Sequence, residues 1–223
     1  MAVDVSVIIT NYNREKYIGR AIRSCLKQSM PKDRYEIIIV DDASNDNSRQ
    51  IIRETKKVIP IYLKHNKGVA FASNEGIKRA LGAFVIRVDS DDYISEHTLL
   101  FMTEILIANP DIGFVYPDHA LVDESENFIG RISLDTLDKL KKHGAGIMFR
   151  KTNLEAIGLY DPVFKHAEDH DLITRYLKNF NGYHLRLPLY RYRQHSDNMS
   201  KDLAERRNWE QKADVKNRQK NIK

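Results

Sequence analysis

Two acidic clusters are the residues most able to do chemistry. The first is Asp89-Ser90-Asp91-Asp92, three carboxylates in four positions directly after the strand-like run Phe84–Val88. Asp89-x-Asp91 offers hard oxygen ligands for Mg²⁺ or Mn²⁺. These cations typically keep waters and bind through one or two carboxylates plus substrate phosphates. The bland alternative is a solvated turn capping the next helix, although a cap needs one acid and not three. The second cluster is Glu168-Asp169, with Asp171 close behind. A positioned carboxylate can accept a proton from a reacting hydroxyl. The same pair can equally be an acidic first turn answering a helix dipole. His166 and His170 flank it and carry no zinc reading.

The elements that must position these residues follow from hydrophobic pattern. Val5–Ile9, Glu36–Val40, Pro60–Leu63 and Phe84–Val88 are β-branched runs of the kind buried on both faces of a parallel sheet. Helical patterns over Glu15–Lys27, Ser48–Lys56, Val69–Leu81 and Glu96–Ala108 alternate with them, which predicts an α/β chain with right-handed crossovers. After Pro110 the spacing shortens. Ile112–Tyr116, Ala120–Val122 and Phe128–Ile132 predict a small antiparallel extension. Leu134–Lys142 and Asp169–Leu177 read as helices, and Gly146–Phe149 as a strand. Ligands of an open parallel sheet bind at the carboxyl ends of its strands. Those ends carry Thr10-Asn11, Asp41-Asp42, Asn66-Lys67-Gly68 and Asp89–Asp92, a polar and acidic rim. Neither G-x-G-x-x-G nor G-x-x-x-x-G-K-[ST] is present, so the rim lacks a glycine-rich phosphate cradle. A phosphate ligand there needs a divalent cation between itself and the acids.

Composition narrows the function classes. The 223 residues contain one Cys, 36 Lys plus Arg and 31 Asp plus Glu, for a net charge of +5. One Cys excludes a disulfide framework and suits a reducing compartment. No apolar run is long enough to span a bilayer, and no secretory signal is read at the N-terminus. The expected location is cytoplasmic. Residues 201–223 hold 8 basic and 4 acidic residues, a net of +4, leaving the first 200 residues nearly neutral. The basicity is therefore no nucleic-acid signature. It reads as a helical tail, with Asp202–Arg206 and Asp214–Arg218 at i, i+4 and no clean apolar stripe, solvated or partner-bound. Peripheral association with the inner face of a membrane through this tail is a secondary expectation.

The ordered set VSVIITNYN (5–13), EIIIVDDASND (36–46), HNKGVAFASNEG (65–76), GAFVIRVDSDD (82–92), GAGIMFRKTNLEAIGLYD (144–161), EDHDLITRYL (168–177) and YRQHSDNMS (192–200) resembles the family-2 glycosyltransferases. The resemblance implies the GT-A fold, a Rossmann-like, mostly parallel sheet flanked by helices, over about residues 3–200. It further implies a nucleotide-sugar half at about 1–110 and an acceptor half at about 111–200. The implied activity is inverting transfer of a sugar from a nucleoside diphosphate sugar, most commonly a uridine one, to a saccharide or lipid-linked acceptor, with Mn²⁺ or Mg²⁺. By the same resemblance Asp169 matches the catalytic base. Thr10, Asn11, Asp41, Asp42, Asn66, Gly68 and Asp89 match nucleotide-side positions, with Asn74 near them. Asp89, Asp91 and His195 match metal-side positions; as a residue, His195 can also be an ordinary satisfied histidine. Gly144, Ala145 and Gly146 are small enough to let an acceptor approach.

The processive Q-x-x-R-W signature is missing, which favours transfer of a single sugar. Two competing functions stand beside this one. A sugar-1-phosphate nucleotidyltransferase would need glycines in the loop after the first strand, where Thr10–Arg14 has none. The other is a non-catalytic nucleotide-sugar-binding module, and the intact set of Asp89, Asp91 and Asp169 speaks against lost activity.

Overall fold

A computed structural model describes residues 3–196 and 203–219. Four parallel-type strands form first: β1 (Val5–Asn11), β2 (Tyr35–Asp41), β3 (Ile59–Tyr62) and β4 (Phe84–Asp89). They alternate with α1 (Ile18–Leu26), α2 (Ser48–Glu54) and α3 (Val69–Arg79). Then come β5 (Tyr93–Ile94), α4 (Thr98–Ala108), β6 (Ile112–Val122), β7 (Phe128–Ile132), α5 (Leu137–Lys142) and β8 (Met148–Arg150). The chain continues through α6 (Lys151–Ala156), α7 (Glu168–Tyr176), β9 (Asn181–Arg193) and α8 (Leu203–Gln219). The sheet order is β3-β2-β1-β4-β8-β6-β9-β5, with β7 on β6. β3, β2, β1 and β4 pair in parallel, while β8 is antiparallel to both β4 and β6.

The period of two along each strand sorts the core into two layers. Val5, Val7 and Ile9, with Phe84, Ile86 and Val88, face Ile18, Ile22 and Cys25 of α1 and Leu99, Met102 and Leu106 of α4. Ile8, Ile38, Val40 and Val85 face Ala70, Ala72 and Ile77 of α3 and Leu172, Ile173 and Tyr176 of α7. Both faces of β1, β2 and β4 are covered, which explains their near-continuous apolar sequences.

The departures from expectation have local causes. Ile112–Val122 is one strand and not two; a register shift between Pro117 and His119 absorbs the proline. α1 begins at Ile18 because residues 14–17 form a turn closed by Tyr17 N–H to the Arg14 carbonyl (2.9 Å). β5, β9 and the one-and-a-half-turn α6 were not expected. β9 runs parallel to β6, pairs antiparallel with β5 and carries the chain back to the cleft. α8 is helical as expected, but it packs on α7 and is not a detached tail: Ala213 and Asn217 are buried, and Asp214 bonds His170 at 2.8 Å. Asp202, Asp197–Ser200 and the side chain of Arg206 lie outside what is described, so the expected Asp202–Arg206 pair does too. No helix among the described residues is long and apolar enough to cross a membrane.

Cys25 is fully buried in the α1 face, and burial pushes its thiol up to about 12 against a weak Ser24 contact. A neutral thiol is a poor nucleophile. The native chain is expected to leave Ellman's reagent unreacted at pH 8, and the guanidinium-unfolded chain to release one equivalent of chromophore.

Candidate active site

A cleft of about 610 Å³ opens at the carboxyl ends of β1, β2 and β4. That is the size range of small-molecule sites. Thr10, Asn11, Asp42, Asn66, Gly68, Asp89, Asp91 and Asp169 all line it, so the sheet brings together most residues singled out from sequence.

Arg87 binds the two acidic clusters to each other. It lies two residues before Asp89 on β4, so the alternation of the strand puts both side chains on one face. Its guanidinium reaches Asp169 Oδ2 at 2.8 Å, Glu168 Oε1 at 3.2 Å and Asp89 Oδ1 at 3.1 Å. The last approach is charge contact without hydrogen-bond alignment: Arg87 Nε and Asp89 Oδ1 are both buried and unbonded. Arg87 is 7% exposed. Burial opposes its charge, but Asp169, Asp89 and Glu168 outweigh that and hold it protonated. The acids feel the same balance. Burial raises Asp89 to about 6, against the pull of Arg87, and Asp91 and Asp169 add to the rise. Burial, with Asp169 next to it, raises Glu168 to about 7.

The acidic turn after β4 is built by the end of β9. The Tyr190 hydroxyl donates to Asp92 Oδ2 at 2.7 Å and accepts from Asp89 N–H at 3.2 Å. Arg193 N–H donates to Asp92 Oδ1 at 2.8 Å, and its Nε to the Asp91 carbonyl at 3.0 Å. Asp92 is thus a structural anchor; burial and the adjacent Asp91 and Asp89 raise it well above the carboxylate range. Asp91 goes the other way. Burial alone would raise it, but His195 and Arg14 hold it below its ordinary value, at 3.2 Å (His195 Nε2) and 3.0 Å (Arg14 Nε) from Oδ2.

The donor chemistry fits a hard divalent cation. Asp89 is a shielded carboxylate whose Oδ1 meets Arg87 Nε at 3.1 Å without an aligned hydrogen bond, and Asp91 is a neighbouring carboxylate held charged. Among the described residues no three His, Cys, Asp or Glu side chains converge into a metal cage. Two carboxylates are what Mg²⁺ or Mn²⁺ needs when substrate phosphates complete the shell. His195 does not line the cleft. It is 3% exposed, packs on Tyr17 with ring centroids 4.9 Å apart, and turns its Nε2 to Asp91. That places it as a partner of Asp91 in this structure.

On the nucleotide side the expected residues divide. Both oxygens of Asp42 accept backbone N–H groups, Lys67 and Gly68, each at 2.7 Å, and so shape the loop that leads into α3. Gly68 stands at φ +86° with open space where a Cβ would point. Asp41 is fully buried and outside the cleft, spent on Arg49 Nε (2.6 Å), Ser44 N–H (3.0 Å) and Asn11 Nδ2 (2.9 Å). The geometry therefore gives Asp41 a supporting place and not a ligand contact. Asn74 likewise pairs with the Tyr160 backbone (2.8 and 3.0 Å) and not with the cleft.

On the opposite wall Asp169 also meets the Tyr160 hydroxyl at 3.3 Å. Gly144 packs directly on the Asp169 carboxylate, so closely that a Cβ would overlap it. His119 is buried at the cleft wall beside Tyr190 (4.7 Å); burial and His143 lower it to about 3, so its ring is neutral. Sequence reading missed Arg87, Arg14, Tyr190 and Arg193. Arg87 had a signal: it is the one charge inside an otherwise apolar strand.

The sequence profile of glycosyl transferase family 2 matches residues 6–158, more than half of the chain. An uncharacterized glycosyltransferase of Nostoc sp. is 30% identical over 177 residues, 71% of this chain and 54% of that protein. The Escherichia coli UDP-Glc:alpha-D-GlcNAc-diphosphoundecaprenol beta-1,3-glucosyltransferase WfgD is 28% identical over 182 residues, 79% of this chain and 71% of that protein. The crystal structure of Staphylococcus aureus TarS 1-349 in complex with UDP superposes with a TM-score of 0.74 at 25% identity, covering 86% of this chain and 61% of that one. This chain thus spans about half the length of the Nostoc relative. The superposition carries the expected GT-A architecture, with its mostly parallel sheet and small antiparallel part. On the profile match and the shared fold together, the chain belongs to glycosyl transferase family 2.

Proposed function

We propose that this chain moves a single sugar from a nucleoside diphosphate sugar, a uridine one by expectation, to a saccharide or lipid-linked acceptor with inversion at the anomeric carbon. The observation that carries the reading is the convergence of Asp89 and Asp169 on one guanidinium, 3.1 and 2.8 Å from Arg87, in the wall of a single cleft. A diphosphate site and a base for the attacking hydroxyl must lie on either side of one carbon, and these two carboxylates are held that close. The UDP held by TarS and the UDP-Glc in the name of the E. coli relative support a uridine donor. The diphosphoundecaprenol-linked acceptor in that same name supports a lipid-linked one.

In this reading Asp89 and Asp91 hold Mn²⁺ or Mg²⁺, which when bound supplies Lewis-acid neutralisation of the leaving diphosphate. Thr10 and Asn11, at the end of β1, and the Asp42-shaped loop with Asn66 and Gly68 frame the nucleoside. Asp169 takes the proton of the acceptor hydroxyl. Its two bonds, to Arg87 and Tyr160, leave lone pairs for that proton, since a carboxylate offers about four. Arg87 and Tyr160 fix the direction in which those lone pairs point. No covalent intermediate on the chain is needed. His195 acts through Asp91 by holding its carboxylate in place.

The donor is found by a thermal-shift panel of nucleoside diphosphate sugars with and without Mn²⁺, because a ligand at a hundredfold excess over Kd stabilises the native state by about 2.7 kcal/mol. No shift with any of them would overturn the reading. Asp169→Asn is expected to lower turnover by about 10²–10⁴-fold with UDP–Mn²⁺ binding intact; full turnover would remove Asp169 as base. Asp91→Ala is expected to abolish the Mn²⁺-dependent part of UDP binding, measured by calorimetry. Gly144→Ala pushes a methyl group into the Asp169 carboxylate, and a displacement of about 1 Å costs about 10²-fold in turnover. UDP affinity in that variant should not change.

A further inference from the structure

The wall that carries Asp169 is residues 161–171, and it is built under strain. Ala167, immediately before Glu168, stands in the left-handed region at φ 58°, ψ 26°, without being a glycine. Such a conformation persists only where the surroundings over-determine it. Pro162, Phe164, Lys165, His166 and Ala167 line the cleft between the start of this segment and the acidic pair.

The restraint comes from α8. Lys216 Nζ bonds Asp161 Oδ2 at 2.6 Å and Asp171 Oδ1 at 3.0 Å, so one ammonium group ties the two ends of the segment together. Asp171 is fully buried and receives two further bonds, from Asn217 Nδ2 at 3.0 Å and from Arg175 Nε at 2.8 Å. Arg175 in turn donates to the carbonyls of Ile157 (2.8 Å) and Leu159 (2.6 Å). Between the two ends, Phe164 is 4% exposed under the Trp209 ring (5.9 Å, edge-on) and the Lys216 ammonium (4.8 Å). His170, the residue after the candidate base, bonds Asp214. A buried carboxylate that loses one of its cationic partners is strongly penalised, so Asp171 makes the α8–α7 contact selective for a cation at 216, with a hydrogen-bond donor beside it at 217.

We propose that α8 is a clamp on the cleft wall and that Lys216 is a positioning residue, setting where Asp169 stands relative to the donor side of the cleft. The inference rests on Asp169 being the base. It assigns to the C-terminal helix a part in the reaction that its charge alone did not suggest. Among the described residues the partners of Lys216 are Asp161, Asp171 and Phe164, none on the nucleotide side, so its removal should act on turnover and not on nucleotide affinity.

The test uses the full chain with Lys216→Met and Lys216→Arg. Lys216→Met should speed amide hydrogen exchange across 162–170 while β1, β2 and β4 keep their protection. Turnover of the donor selected by the panel should fall by about tenfold or more, with UDP–Mn²⁺ affinity within about twofold of the parent. Lys216→Arg should recover most of that turnover. Unchanged exchange, unchanged turnover, or a loss of UDP affinity in step with turnover would each overturn the clamp. If Lys216→Met does not fold, Asn217→Ala is read by the same three measurements. The exchange result stands independently of the base assignment: active Asp169→Asn would remove the base, and faster exchange at 162–170 would still report the clamp.

Discussion

A guanidinium sealed inside an apolar strand is the constraint around which the site is organised. Arg87 is 7% exposed, between Ile86 and Val88 of the core. A buried cation is tolerated only when anions and hydrogen bonds surround it, and breaking such a pair costs about 3–5 kcal/mol. Three carboxylates must therefore converge on Arg87, and two of them come from a helix about eighty positions away in sequence. This requirement draws the start of α7 onto the end of β4. It also buries several carboxylates together, and burial first, with the neighbouring carboxylates adding to it, raises Asp89 and Glu168 towards neutrality in a site whose net charge one cation cannot cancel.

The acids of the rim are not compensated alike. Asp91 is compensated by Arg14 and His195, Asp42 by two backbone N–H groups, and Asp92 by Tyr190 and Arg193. Asp89 Oδ1 is the carboxylate oxygen of this rim that is shielded and has no hydrogen bond. That oxygen faces only a guanidinium it shares with two other carboxylates, so part of its desolvation cost stands, and a divalent cation with its phosphate ligands would relieve it.

The parts legible in the sequence were those set by local period and by residue type. β1, β2 and β4 were read to within a residue or two because strands buried on both faces are apolar along most of their length, and the polar strand ends then had to form one rim; β3 was read as closely although it is an edge strand whose residues alternate between half-buried and exposed. What escaped detection depends on contacts across the chain. β9 alternates polar and apolar residues from Tyr183 to Arg193 around Pro188, a weak strand signal that only pairing with β6 and β5 decides. Asp41 and Asp42 are adjacent acids of the same type, yet the strand's alternation sends Asp41 inward to Arg49 and Asp42 to the cleft. Spacing alone could not say that the Arg49 partner existed. His195 carried its motif correctly into the neighbourhood of Asp91, while its burial behind that carboxylate follows from the Tyr17 ring.

The charge of the chain is resolved in the same way. Residues 201–223 hold a net of +4, and their apolar residues form no stripe. α8 needs no stripe, because the surface it covers is acidic: Asp161 and Asp171 receive Lys216, and Asp171 also receives Asn217. A helix that docks largely by charge and hydrogen bonds, with Trp209 on Phe164 and the buried Ala213 as its apolar contacts, looks solvated in a hydrophobic plot. The same polar pairing makes it selective, since Asp171 inside the interface rejects an apolar replacement that an ordinary helix contact would accept. The basic excess of the C-terminal segment and the acidic excess around the cleft wall are two halves of one arrangement, and the near-neutral count of the first 200 residues concealed the second half.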